Sequence, residues 1–257
     1  MHNTMNKIVG DILEKDTKRK REATVSAVQK PTKYLRRITL CGEDVDKFLD
    51  DLRAYEPACW IKVFFPWKDN LAGRAYTINK INKTNRTIDI DMVLHGEGPA
   101  SCWAEKALVG DKLGFAGPCS GGFKPLTDAN WLLLLGDETA IPAMRSILAS
   151  LTRPIPVFWF AEVGDKQEIQ CLDYPHLIVN SWQVRERHYE NVMNNLLVKA
   201  VSRYALPAEP GQIWLACEQQ AAAYLKNHFI NERMIPKTSL FAKGYWKKGE
   251  SNFKGAI

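Results

Sequence analysis

Gly121-Gly122-Phe123-Lys124-Pro125 separates two stretches of the chain whose hydrophobic patterns have different periods. Glycine pairs and proline punctuate local structure, so this is the natural linker. On its N-terminal side, from about residue 22 to 124, apolar residues tend to alternate with polar ones, the period of strands covered on one face. The clearest case is Thr87 to Leu94, where Ile88, Ile90, Met92 and Leu94 alternate with Thr87, Asp89 and Asp91. Arg36–Leu40, Trp60–Phe65 and Lys112–Phe115 look similar, and turn formers such as Asp69-Asn70 and Gly110-Asp111 lie between them. Short strands at this spacing imply a small antiparallel barrel.

Beyond Pro125 the alternation stops. Trp131–Leu135, Ile155–Ala161, Leu177–Val179, Ile213–Cys217 and Leu240–Ala242 are continuous apolar runs, the mark of strands covered by helices on both faces. Ile141–Leu151, Tyr189–Tyr204 and Gln219–Glu232 have helical spacing between them, and such alternation implies a parallel sheet. The expected architecture is an antiparallel β-barrel domain over residues 1–124, the first 20 or so a leader segment, followed by an α/β domain over residues 125–257. There is no internal repeat.

With 257 residues, 46% hydrophobic and 25% charged, the chain has the composition of a folded globular protein of two modest domains. No apolar run approaches the roughly 18 to 20 residues of a membrane helix, and MHNTMNKIVGDILEKD lacks a charged region followed by an apolar one, so a cytoplasmic location is expected. Six scattered cysteines form no C-x-x-C and no cluster with the five histidines, which argues against a zinc site, an iron–sulfur cluster or a disulfide framework. The net charge of +6 includes Lys18-Arg19-Lys20-Arg21 and a second group at Lys243, Lys247 and Lys248. Such groups either attract an anionic partner or are solvated faces, and no helix-turn-helix or RNA-binding motif accompanies them.

Three motifs bear chemistry. In Arg74-Ala75-Tyr76-Thr77 the arginine can pair with a phosphate, the tyrosine ring can cover a flat ring system and the threonine can hydrogen-bond a ring nitrogen; a half-buried strand with a surface arginine is the plainer reading. His95-Gly96-Glu97-Gly98-Pro99-Ala100-Ser101-Cys102-Trp103 follows the alternating strand with a glycine turn and a helix start, where N–H groups can meet a pyrophosphate; an ordinary glycine-rich connection is the alternative. Leu135-Gly136-Asp137-Glu138-Thr139-Ala140-Ile141-Pro142 stands at the carboxyl end of the first parallel strand, where open α/β sheets bind ligands, or is simply a helix cap. It is not the G-x-G-x-x-G of ordinary dinucleotide sites.

In this order, R-x-Y-T, H-G-x-G-P-A-x-x-W and G-D-E-T-A-x-P resemble the ferredoxin-NADP reductase-like flavoenzymes, and specifically the siderophore-interacting protein, or ferric-siderophore reductase, family. Arg37-Ile38-Thr39-Leu40-Cys41-Gly42-Glu43-Asp44, Gly110-Asp111, Gly117-Pro118, Trp182 with Arg185, and Gly244-Tyr245-Trp246-Lys247-Lys248-Gly249 extend the resemblance over nearly the whole chain. It implies an FAD-binding barrel and an NAD(P)H-binding-like α/β domain. It also implies an FAD contact set of Arg74 on phosphate, Tyr76 on the isoalloxazine, and Thr77 near its N5 edge with Ala75 between. Asp91 and Val93 on the alternating strand belong to that set, as do His95, Gly98, Pro99, Ala100, Ser101 and Trp103 around the pyrophosphate and adenine. Asp137, Glu138 and Thr139 would face the nicotinamide or the open side of the flavin. Two positions depart from the family pattern: Asn79 stands where R-x-Y-T-x-R has its second arginine, and Ala216-Cys217-Glu218 stands for A-G-E.

The implied activity is FAD-dependent reduction of ferric siderophores, releasing ferrous iron in the cytoplasm, with NADPH or NADH as donor. NADPH is preferred because Lys166, Arg185 and Arg187 can meet a 2′-phosphate, and Cys217 is counted near the donor. Reduced ferredoxin is the alternative donor; a nonenzymatic siderophore- or nucleic-acid-binding module is the alternative of another class. Lys243, Trp246, Lys247 and Lys248 are expected to meet the ferric chelate. No catalytic side chain, resident metal or membrane insertion is expected, and a monomer is.

Overall fold

The computed structural model describes residues 21–68, 70–96, 98–185, 192–250 and 253, and the chain divides into two compact units between Gly121 and Gly122. The first is a closed barrel of six antiparallel strands: β1 (Arg21–Thr32), β2 (Leu35–Cys41), β3 (Trp60–Trp67), β4 (Asn70–Asn82), β5 (Thr87–Val93) and β6 (Lys112–Cys119), in the order β1-β2-β5-β4-β3-β6. Alternation does what it promised on β5, where Ile88, Ile90 and Met92 have no exposure and fill the interior with Ile38 and Leu40 of β2 and Ile61, Val63 and Phe65 of β3. A short helix, α1 (Glu43–Leu49), buries Val45, Phe48 and Leu49, and Phe48 meets Phe115 edge-on at 5.8 Å. The helix α2 (Gly98–Lys106) packs on β3, β4 and β5.

In the second unit five strands form one sheet in the order β11-β10-β7-β8-β9, and every neighbouring pair is parallel. They are β7 (Leu132–Asp137), β8 (Val157–Val163), β9 (Leu177–Val184), β10 (Gln212–Glu218) and β11 (Leu240–Trp246). All residues of β7 and β8 are buried, as continuous apolar runs require. Three helices accompany the sheet: α3 (Ile141–Ser150), α4 (Leu196–Ser202) and α5 (Gln219–Asn227), the last two sharing a core with Leu133, Leu135, Phe158, Phe160 and Ile213.

The barrel followed by a parallel α/β unit is the architecture expected. Details differ. Arg36–Leu40 lies in the second strand, and β1 precedes it with a pattern too mixed to read. The edge strand β9 runs on to Val184 through Asn180-Ser181-Trp182-Gln183, which no apolar run announces because one flank lacks a neighbour among the described residues. The helix expected over Tyr189–Tyr204 is a 3₁₀ turn, Val192–Asn194, followed by α4; Asn195 breaks between them and caps α4 by accepting from the Val198 N–H at 2.9 Å. Positions 189–191 lie outside the described residues. The helix expected over Gln219–Glu232 ends at Asn227, and His228–Glu232 is a π-turn.

Candidate functional site

In the barrel unit, Arg74, Tyr76 and Thr77 on β4 stand opposite Val63, Ile61 and Trp60 of β3. Opposed residues share a face, so Arg74 and Tyr76 lie on the side of the core, and Thr77 lies on the outer side with the exposed Ala75. The Tyr76 ring packs edge-on against Phe65 with centroids 6.0 Å apart, and the same Phe65 meets Trp103 of α2 at 5.5 Å. Phe65 therefore joins the first two motifs, which the sequence separates by some twenty residues. Burial pushes the Tyr76 phenol up, so it stays neutral at working pH. Arg74 donates to the Gly73 carbonyl at 2.9 Å and has no carboxylate partner among the described residues. Lys62, which no motif singles out, lies across Gly73, where an added Cβ would stand 2.2 Å from its Cε.

The turn before α2 is open. Gly96 and Gly98 have φ of 79° and 80°, a region side chains rarely adopt, and apart from its chain neighbours no atom of the described residues lies within 4 Å of where a Gly96 Cβ would be. His95 and Gly96 donate their backbone N–H groups to the Ser101 hydroxyl at 3.1 and 3.2 Å, and Ser101 is 1% exposed. Ser101 thus ties the turn to the helix and faces its own loop. Pro99 and Ala100 are buried and seat α2 on the barrel, while His95 is exposed and Val93 half-buried at the end of β5. Both Asp91 oxygens accept from Arg37, at 2.7 and 2.8 Å, so in this structure its carboxylate ties β2 to β5. A guanidinium without a carboxylate, an aromatic ring beside it, an open glycine turn and a helix start fit a flavin dinucleotide, which needs cation and N–H donors for its pyrophosphate and an apolar wall for its ring.

In the second unit, parallel strands bring five carboxyl ends to one edge, and each has a polar or reactive residue at its end or next to it. Asp137 of β7 pairs with Glu162 of β8, Arg185 follows β9, and Cys217 and Glu218 close β10 beside Trp246 of β11. Asp137 is 3% exposed and accepts from the Thr139 N–H at 3.0 Å, the Thr139 hydroxyl at 2.5 Å and the Trp246 indole N–H at 2.8 Å. Burial and the neighbouring Glu138 push its carboxyl up to about 7 against these donors. Arg185, the side chain 11% exposed, forks onto both Glu138 oxygens and also donates to Glu162 at 2.9 Å. It stays firmly charged: the two carboxylates outweigh the burial that opposes the charge.

Arg185, expected to meet a 2′-phosphate, is here engaged by two carboxylates, with which a phosphate would have to compete. Lys166 is exposed in a 3₁₀ turn, and Arg187 lies outside the described residues. Burial, with Asp137, Glu162 and Glu218 nearby, raises Cys217 well above an ordinary thiol, so it is a protonated donor, to the Glu218 carbonyl at 3.6 Å, and not a nucleophile. Of the C-terminal group, Lys243 stands opposite Ala216 on β11, Lys247 pairs with Glu250 at 2.8 Å, and the Lys248 backbone N–H reaches Glu218 at 3.4 Å. Glu162 escaped the sequence reading, although an acid inside the apolar run Val157–Val163 was its signal.

Comparison with known proteins agrees with this layout. The family model described as siderophore-interacting FAD-binding domain matches residues 60–122, and the one described as siderophore-interacting protein matches residues 129–249. The ferric vibriobactin reductase of Vibrio cholerae is 32% identical over 243 residues, covering 86% of either chain. The ferric acinetobactin reductase of Acinetobacter baumannii is 32% identical over 182 residues, 70% of this chain and 62% of the relative. Among solved structures, a siderophore utilization protein from T. fusca superposes with a TM-score of 0.81 at 26% identity, covering 91% of this chain and 95% of the other. The siderophore-interacting protein of Acinetobacter baumannii does so with a TM-score of 0.80 at 27% identity, covering 91% and 93%. Sequence, fold and the placing of the motifs lead to one assignment: the chain belongs to the siderophore-interacting protein family.

Proposed function

We propose that this protein is an FAD-dependent ferric-siderophore reductase that takes its electrons from a reduced nicotinamide. The observation that carries the reading is Arg74, a cation with no carboxylate partner among the described residues, on the strand whose Tyr76 is joined through Phe65 to the helix behind the open His95–Gly98 turn. Its relatives are named ferric vibriobactin and ferric acinetobactin reductases.

The division of labour follows from the residues. When bound, FAD accepts two electrons together and passes them on singly, which a hydride donor and a ferric ion require of an intermediary. Arg74 and the N–H groups at the start of α2 hold the pyrophosphate, Tyr76 walls the ring, and Thr77 offers its hydroxyl to a ring nitrogen. Ser101 holds the turn in shape. Ferric iron sits in hard oxygen ligands that fit ferrous iron less well, so electron transfer itself loosens the metal and no side chain need act as acid, base or nucleophile. Lys243, Lys247 and Lys248 raise the local concentration of an anionic chelate.

With Arg185 matched by Glu138 and Glu162, the preference for NADPH over NADH loses its main support. Reduced ferredoxin stays as the second reading, an acidic partner that the basic surface of a chain with net charge +6 would attract. Purified protein should be yellow and release FAD on heating, and NADH or NADPH should bleach the flavin band under anaerobic conditions. A colourless protein that FAD cannot reconstitute would overturn the reading, and bleaching by reduced ferredoxin alone would replace the donor.

A further inference from the structure

The barrel carries a charged cluster that extends beyond the matched FAD-binding segment, residues 60–122, onto β2. β4 bulges against β5: Ile78 pairs with Ile90 and Lys80 with Asp89, which leaves Asn79 over. A bulge re-aims the extra side chain. With its amide oriented so that the carbonyl oxygen faces Arg37, Asn79 accepts from Arg37 Nε at 3.2 Å and from Nη2 at 2.9 Å. The same two nitrogens donate to Asp91, directly opposite Arg37 in the register, at 2.7 and 2.8 Å.

One edge of the guanidinium fork is therefore gripped twice. A cross-strand tie needs only the bidentate pair; the bulge and its amide add a second restraint on that edge, which fixes the fork in rotation. The Asp91 side chain is 4% exposed and that of Arg37 is 24% exposed, and Arg37 Nη1 has no partner among the described residues. Asp91 alternates with the inward Ile90 and Met92, and Thr77 precedes the inward Ile78, so the cluster shares the outer face of the barrel with Thr77.

We infer that Arg37 is a further FAD-binding residue, donating from Nη1 to an acceptor oxygen of the cofactor, with Asp91 and Asn79 as the positioning residues that aim it. This rests on the flavoprotein reading above.

The test is FAD titration of the apoprotein, with thermal unfolding of the same apoprotein as the control for fold. Arg37→Lys keeps a charge for Asp91 and the strand tie, but lacks the fork that leaves a second nitrogen to donate. Its apoprotein should melt close to the parent while Kd for FAD rises about tenfold, the equivalent of about 1.4 kcal/mol. Asn79→Ala, on the outer face, should raise Kd less and in the same direction. Arg37→Lys binding FAD as the parent does overturns the inference, whatever its melting temperature; should that variant not fold, unchanged affinity in Asn79→Ala overturns it. A parent that binds no FAD would sink the flavoprotein reading itself, whereas FAD lost in Arg74→Ala but kept in both variants sinks only the role of Arg37.

Discussion

Replacing Arg185 by Met should destabilise the α/β unit strongly, and more so at alkaline pH. The substitution keeps most of the side-chain volume and removes the cation that Glu138 and Glu162 share, whose side chains are 15% and 3% exposed. Glu138 can turn toward water. Glu162 cannot, and it also accepts from the Leu197 N–H at 3.3 Å at the start of α4. Removing one partner of a buried ion pair costs about 3–5 kcal/mol, because the remaining charge loses that compensation while it stays out of water. For a unit of this size that corresponds to a fall of roughly 10–15 °C in Tm.

The pH dependence follows from Glu162. Burial already raises its carboxyl above the unfolded value while Arg185 pulls it down, so loss of Arg185 raises it further. A folded pKa above the unfolded one means that the native state holds the extra proton, so its stability is greatest at low pH and is lost as pH rises through the shifted range. The penalty should therefore be largest near pH 8 and shrink toward pH 5, and Glu162→Gln in the Arg185→Met background should recover much of it. Calorimetry of the apoproteins at the two pH values measures this. A loss below about 1 kcal/mol, the scale of an exposed pair, or an equal loss at both pH values would refute the reasoning.

Further outcomes follow from the same geometry. Arg74→Ala should lower FAD affinity about 10- to 100-fold, as loss of a charge-assisted bond does, with native circular dichroism; equal flavin content in variant and parent would unseat Arg74. Ser101→Ala strands the His95 and Gly96 N–H groups, and should weaken FAD without a large fall in Tm, whereas Ser101→Thr keeps the hydroxyl and should largely restore binding; a pure loss of stability would make Ser101 structural only. Asp137 sits near 7, above its unfolded value, so its contribution to stability falls as pH rises through that range, and Asp137→Asn should flatten the decline in Tm between pH 5 and 8. In Lys247→Ala/Lys248→Ala, catalytic efficiency should drop for an anionic ferric chelate at low salt and recover at high salt; an equal drop with a neutral chelate would assign both residues elsewhere.

Periodicity and motif order carried the barrel, the parallel sheet and the family, because each depends on neighbours along the chain: alternation on β5, continuous apolar runs on β7 and β8, and R-x-Y-T ahead of H-G-x-G-P-A. What each polar side chain does depends on which strands lie side by side, and that only the tertiary structure decided. Arg185 read as a cation for a phosphate until β8 and β9 came together and set Glu162 and Glu138 around it. The tie of Asp91 to Arg37 needed β2 beside β5, and that of Trp246, expected to meet the ferric chelate, to Asp137 spans 109 residues of the chain. A charge in a sequence has no sign of its surroundings; burial and the partner opposite determine whether it is offered to a ligand or consumed by the fold.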